Sequence, residues 1–257
     1  MIRALEYTGR PFIYIFEEFG RIFTFLINAI TWMVRPPLRL RLVFKQMESV
    51  GVQSIIVVLI TAVFTGMVLA LQTFYGFRMF GGEGLVGATV ALSMTREIGP
   101  VFTGLMVTAR AGSAMAAEIG TMRVTEQIDA LYAMSVNPIQ YLVMPRLVAG
   151  VLMLPFLTIV SDFIGIMGGY VVGVFLLNIN PGIFMARMVD MVNLGDIFNG
   201  LIKSACFGLI LSLIGCYKGF NTRGGAEGVG KATTQTVVLS CVSILISDYF
   251  LTAFMFR

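Results

Sequence analysis

Apolar residues in this chain come in long unbroken runs separated by short polar connections. Five runs approach or exceed the roughly 20 residues that a helix needs to cross a bilayer. They lie at about 50–75, 85–109, 147–177, 197–217 and 236–256. The third is long enough to tilt, or to end in a bent piece around Gly168-Gly169. Ahead of them the pattern changes. Phe12, Ile15, Phe16, Phe19, Ile22, Phe23, Leu26, Ile27 and Ile30 recur at three- and four-residue steps, with Glu17, Arg21, Thr24, Asn28 and Thr31 mostly opposite. That is a helix with one apolar face, suited to lying in the headgroup plane. Trp32 and then Arg35, Arg39, Arg41 and Lys45 around Pro36-Pro37 form an aromatic and basic boundary. A poor first span is the alternative reading. A cleavable signal is not, because Glu17, Glu18 and Arg21 interrupt the run and no small-residue cleavage site follows.

The predicted fold class is an all-α integral membrane protein: an N-terminal interfacial amphipathic helix plus five transmembrane helices and a cytoplasmic loop helix. The expected division is 1–46 for the interfacial elbow and basic boundary and 47–257 for one five-span domain, with the loop helix at about 121–137. Composition agrees: the chain is 57% hydrophobic and 12% charged, with a mean hydropathy of +0.88. A soluble domain carries about 25% charged residues. Small residues crowd the spans (Gly51, Gly66, the Gly104–Ser113 region, Ala114, Ala116, Ala117, Gly165, Gly168, Gly169 and Gly173) and allow helices to approach closely in lipid.

Basic residues set the expected orientation. With the N-terminus inside, thirteen Lys and Arg fall on inner segments and three (Arg78, Arg187, Arg257) on outer ones. This places the N-terminus in the cytoplasm and the C-terminus outside. There are no histidines, which excludes histidine-based zinc sites, Ser-His hydrolysis and histidine proton relays. No metal site is expected. Cys206, Cys216 and Cys241 all fall in apolar runs and read as small buried hydrophobes. Nucleic acid is not an expected partner, since no basic face remains outside the spans.

Arg96 and Glu97 stand near the middle of the second run, just before Gly99-Pro100. Ionisable groups at that depth cost about 2.5–3.5 kcal/mol each on insertion scales and persist where they face a cavity or a partner. Lys203 and Asp248 are also charged at membrane depth, and they pair with each other or join Arg96 and Glu97 in a buried network. Asp162 is a further such residue with no evident partner. Arg110 and Glu118 are placed to brace the loop helix. Gly225–Lys231 nearly matches the phosphate loop G-x-x-x-x-G-K-[ST], but Ala232 replaces the hydroxyl and the segment joins two spans, so a flexible turn is expected. In the loop helix Val124, Ile128, Leu131 and Tyr132 share a face, while Glu126, Gln127 and Asp129 point away. Such a helix either fits a groove on a cytosolic protein or rests on the bilayer. Asn137-Pro138 closes it.

Several segments together carry a resemblance. Thr95–Pro100, Ala109–Ser113, Ala117–Gly120, Met122–Gln127, Val136–Pro138 and Pro145-Arg146 are similar to the MlaE permease family, over nearly the whole chain. The members are membrane subunits of Mla-type ABC transporters, which move phospholipid between the membranes of Gram-negative bacteria and maintain outer-membrane lipid asymmetry. The resemblance implies a homodimeric, non-catalytic inner-membrane permease. Its implied partners are a cytosolic ABC ATPase dimer, a periplasmic MCE-domain hexamer and a small STAS-domain protein. ATP and magnesium would be held by the ATPase, leaving this chain without a cofactor. It further implies a lipid cavity lined by Leu69, Gly76, Phe77, Phe80, Arg96, Glu97 and Ile98, with Leu69, Phe74, Phe77 and Phe80 as apolar wall. Arg96 would meet a phosphate, with Glu97 as counter-ion. The ATPase would dock on Glu126, Ile128, Leu131 and Tyr132. An ion-coupled transporter using Arg96, Glu97 and Asp248 is the alternative, although the chain lacks the internal repeat common in that class. A membrane-embedded lipid enzyme would need a metal pair, a GxGD motif or a nucleophile with its base, and none is visible.

Overall fold

A computed structural model describes residues 17, 18, 20–32 and 39–255. Phe12, Ile15, Phe16 and Phe19, part of the predicted apolar face, and Arg35, Pro36 and Pro37 lie outside the described residues. Everything described is helix or short connection. The elements are α1 (20–32), α2 (Leu40–Val50), α3 (Ile55–Arg78), α4 (Val86–Ser93), α5 (Gly99–Val107), α6 (Ser113–Val124), α7 (Gln127–Ala133), α8 (Met144–Tyr170), α9 (Pro181–Met191), α10 (Leu194–Phe220) and α11 (Gly225–Met255). Single π-helical segments at Met94–Ile98 and Thr108–Gly112 join α4, α5 and α6 into one bent rod.

Among the described residues, four helical stretches are long and apolar enough to cross a membrane: Leu40–Arg78, Ile139–Leu176, Leu194–Phe220 and Gly225–Met255. They contain four of the five expected spans. The first begins earlier than predicted, because α2 leads into α3 through Gly51 and a short 3₁₀ segment at Val52–Ser54 without a longer break. The remaining span, 85–109, forms the α4–α5–α6 rod, whose hydropathy Arg96, Glu97 and Arg110 lower. Close contacts show how the rods run. Gly200, Phe207, Gly215 and Gly219 of α10 meet Thr95, Gly104, Gly112 and Ala116 in that order, so α10 is parallel to the bent rod. Met94, Gly99 and Val90 meet Gly165, Asp162 and Gly169 of α8 in reverse order, and Ile244 and Val229 of α11 meet Gly104 and Gly120 likewise. Five helical passages therefore alternate through one bundle.

Two crossings explain the glycines. A Cβ on Gly66 of α3 would stand 1.9 Å from the Gly165 carbonyl oxygen of α8, and one on Gly208 of α10 would stand 2.2 Å from that of Gly150. Backbone touches backbone at both points, which only glycine permits, and in lipid this packing replaces the hydrophobic drive.

Two apolar clusters fill the bundle. The larger surrounds Val107, Met115, Leu154, Phe207, Leu211 and Ile244, and Ile22, Phe25 and Leu26 of α1 pack against it. Phe23, Ile27 and Ile30 of α1 point outward, so its apolar surface divides between bundle and surroundings. The smaller cluster joins Ala70, Phe74, Val86, Val90, Met94 and Val172 to Phe184 of α9. Sequence reading placed no element at 181–191. Yet Asn180 caps α9 by accepting from the Gly182 (2.8 Å) and Ile183 (3.4 Å) amides, and Pro181 suits the first turn. Phe184 is fully buried against Gly87 and Gly173 and closes that end of the bundle.

Candidate functional site

The bent rod owes its break to Pro100, which has no N–H to give the Arg96 carbonyl one turn back. Lys203 of α10 supplies the donor: its Nζ lies 3.1 Å from that carbonyl oxygen. The same ammonium, fully buried, also reaches Glu97 Oε2 at 2.7 Å, Thr252 Oγ1 at 2.6 Å and Asp248 Oδ1 at 3.2 Å. The Asp248 contact is electrostatic, without hydrogen-bond alignment. Lys203 thus stitches the π segment to α10 and α11, with Glu97 and Asp248 as its two carboxylates.

Arg96 pairs elsewhere. Its Nε donates to Asp196 Oδ1 at 2.8 Å, while Asp196 Oδ2 accepts from the Asn193 amide at 3.1 Å and so caps α10. This corrects the expectation that Glu97 is the counter-ion of Arg96. Adjacent helical residues point in different directions, and each of the two finds its partner across the bundle. Asp196 was missed by sequence reading; the signal was its place three residues after Asn193, a capping-box spacing. Asp196 is buried, whereas the Arg96 side chain is 36% exposed, so the guanidinium sits on a rigid base and reaches the surface.

The apolar residues named with Arg96 divide. Leu69 and Phe77 of α3 and Ile98 of the π segment pack together against the α9-end cluster. Gly76 faces open space and Phe80 is almost fully exposed, just beyond the end of α3. On α3 the exposed Phe64, Val68 and Tyr75 lie on the face turned away from Leu69 and Phe77, and Arg96 stands about 15 Å along the rod from Val86 at 1.5 Å per residue. Asp162 lies against Gly99 beside the same π segment. Its Oδ1 has no hydrogen-bond partner among the described residues.

At the opposite end, Arg110 donates to the Ser49 carbonyl (2.6 Å), Ser54 Oγ (3.1 Å) and Gln53 Oε1, and so fastens the α2–α3 junction. It does not brace the loop helix as expected. Glu118 pairs with the buried Arg146 at 2.7 Å, at the start of α8. The loop helix itself is shorter than predicted: after a left-handed Glu126 (φ 59°), α7 makes barely two turns. Ile128 is fully buried and Leu131 packs on the core, so these two seat the helix on its own chain. Val124 and Tyr132 are exposed despite their expected share in that face, as is Glu126, and Asp129 pairs with Arg123 at 2.7 Å. Asn137 closes the loop by accepting from the Ile139 amide at 2.9 Å. Gly225–Lys231 forms the first turns of α11 rather than a flexible turn, with no strand before it.

An α-helical membrane bundle with a charged, proline-broken central rod is the class that fold and site define. The chain matches the family described as permease MlaE over residues 43–254, and it belongs to that family. A probable ABC transporter permease protein of Rickettsia bellii is 45% identical over 97% of this chain and 96% of its own length. The intermembrane phospholipid transport system permease protein MlaE of Haemophilus influenzae is 38% identical over 100% and 98%. The chloroplastic protein TRIGALACTOSYLDIACYLGLYCEROL 1 of Arabidopsis thaliana is 40% identical, over 83% of this chain and 61% of its own length.

Proposed function

We propose that this chain is the non-catalytic permease subunit of an ABC transporter that moves phospholipid between the inner and outer membranes and so sustains outer-membrane lipid asymmetry. ATP would be hydrolysed by a separate cytosolic ATPase dimer docked around α7. A periplasmic MCE-domain hexamer, a small STAS-domain protein and a second copy of this chain complete the assembly in the inner membrane, N-terminus inside and C-terminus outside. Family membership and the phospholipid system named for the Haemophilus relative support the substrate class.

One observation carries the reading: Arg96 reaches the surface from a buried Asp196 base, while Leu69, Phe77 and Ile98 are half-buried apolar residues on the cluster that includes Met94 of the same π segment. A phospholipid presents an anionic phosphate above apolar tails, and a site for it needs apolar lining with a few convergent polar groups. The phosphate would share Arg96 with Asp196, while Glu97, held by Lys203, keeps the π segment in place. The test is lipid transfer by the reconstituted complex. Arg96→Gln and Phe77→Asp should each lower transfer by about tenfold or more while the ATPase still co-purifies. Unchanged transfer in both variants refutes the reading.

A further inference from the structure

Asp162 has no part in the ion pairs described above. It stands on α8 within the membrane-crossing stretch Ile139–Leu176 and is only 7% exposed. Among the described residues nothing donates to its Oδ1 and no cation lies in ion-pair range. The ionisable groups of the elements around it are engaged elsewhere. On the π segment Arg96 holds Asp196 of α10, and Glu97 holds Lys203 of α10, which also takes Asp248 of α11. The middle of α10 adds only Cys206. α4 and α5 carry no ionisable side chain, and α3 carries only Tyr75 and Arg78 near its end. On α8 itself Arg146 pairs with Glu118, and the Tyr170 ring packs on Phe184.

What Asp162 does meet is the π segment. A Cβ on Gly99 would stand 1.7 Å from Asp162 Oδ1 and 2.7 Å from the Met94 carbonyl oxygen, so both oxygens converge on the space that the missing side chain leaves. The Met94 side chain crosses to α8 as well, where a Cβ on Gly165 would stand 2.3 Å from its Cε. The Met94 oxygen accepts one N–H, from Gly99, and a carbonyl oxygen has a second lone pair to offer. Two acceptor oxygens brought together inside an apolar bundle repel unless a hydrogen stands between them. A neutral carboxyl supplies that hydrogen and an ionised one does not. An ionised carboxylate here would also remain a buried charge without compensation.

We propose that Asp162 keeps its proton and donates it to the Met94 carbonyl, clasping α8 to the π segment that carries Arg96 and Glu97. Asp162 is then a positioning residue. It acts through Met94, fixing the segment from which Arg96 reaches the surface. Loss of the proton sets oxygen against oxygen and parts the segment from α8. The bearing on lipid transfer rests on the function proposed above, whereas the proton is a property of the bundle and is tested without transport.

The experiment uses the complex with its ATPase in nanodiscs. Dicyclohexylcarbodiimide, an apolar reagent that adds to protonated carboxyls, should label the peptide carrying Asp162 at neutral pH, as mapped by mass spectrometry. Infrared difference spectra should show a protonated-carboxyl band in the parent that Asp162→Asn removes. That variant replaces the O–H donor with N–H and cannot ionise, so at neutral pH it should keep the parent's thermal midpoint and lipid transfer. The packed parent binds a proton that its unfolded chain releases, so its stability falls as pH rises. Until the proton is lost, its midpoint should drop more steeply than that of Asp162→Asn, by about 3–5 °C per pH unit. Absence of the adduct or of the band overturns the proposal, and so do equal pH slopes in parent and variant. Protection from labelling by sodium ions at constant ionic strength puts a metal ion in place of the proton and overturns it as well. The labelling and infrared arms need no transport, so their success in a complex that transfers no lipid supports the clasp and counts against the proposed function alone.

Discussion

Replacing Lys203 with methionine keeps most of the side-chain volume and deletes one buried charge. The ammonium lies 2.7 Å from a Glu97 oxygen and 3.2 Å from one of Asp248. At an effective dielectric of 20 these correspond to gross attractions of about 6 and 5 kcal/mol. Desolvation of all three groups and repulsion between the carboxylates cancel much of that sum. Stripping one partner from a buried pair nonetheless costs about 3–5 kcal/mol, because the remaining charges stay buried without compensation. The Glu97 side chain is 37% exposed, which favours the lower end. The variant also leaves the Arg96 carbonyl beside Pro100 without its donor. At about 2–4 °C per kcal/mol for a chain of this size, a loss near 3 kcal/mol lowers the thermal midpoint by about 6–12 °C. The assay is thermal unfolding of the purified complex in one detergent at a fixed scan rate, since unfolding of such proteins is irreversible. The control is the neutral triple variant Lys203→Met/Glu97→Gln/Asp248→Asn, which should recover more than half of the loss, because an ion cluster replaced as a unit leaves no stranded charge. A single variant as stable as the parent, or a triple variant no better than the single, refutes the account of Lys203 as the counter-ion of both carboxylates.

Other consequences can be measured in parallel. Phe184→Ala empties the pocket between Gly87 and Gly173 and should cost about 3–5 kcal/mol, read as a lower midpoint in the same assay; an unchanged midpoint would show that α9 is not seated by that ring. Gly66→Val drives a side chain into the Gly165 carbonyl and should prevent close packing of α3 on α8, seen as loss of the monodisperse peak in size exclusion. For the ATPase contact, Tyr132→Asp is the cleaner probe. Tyr132 is exposed, whereas Leu131 supports the core, so Tyr132→Asp should reduce ATPase capture without lowering the thermal midpoint. Normal capture would place the contact elsewhere.

Periodicity and composition by themselves determined the membrane class and the helical rods, because a bilayer admits few backbone solutions and each leaves a long apolar run. They also marked Arg96, Glu97, Lys203 and Asp248 as residues needing partners, since charge at that depth must be compensated. Motif spacing was enough to indicate the MlaE family. Partner choice was not legible. Arg96 and Glu97 are neighbours in sequence, but helical geometry turns them apart, and the ion that each meets sits about a hundred residues away on α10. The same holds for Arg110, whose partners lie at the α2–α3 junction, and for Glu118, which found Arg146. On α7 the apolar pattern was visible, but which of its residues face inward depended on the left-handed turn at Glu126. Helix α9 escaped notice because its residues mix apolar and polar positions without a long run, and only the pocket that receives Phe184 makes it part of the core. Local pattern fixes what each segment must bury. Only the packed bundle decides against what, because the contacts that satisfy a buried charge or seat a ring come from parts of the chain remote in sequence.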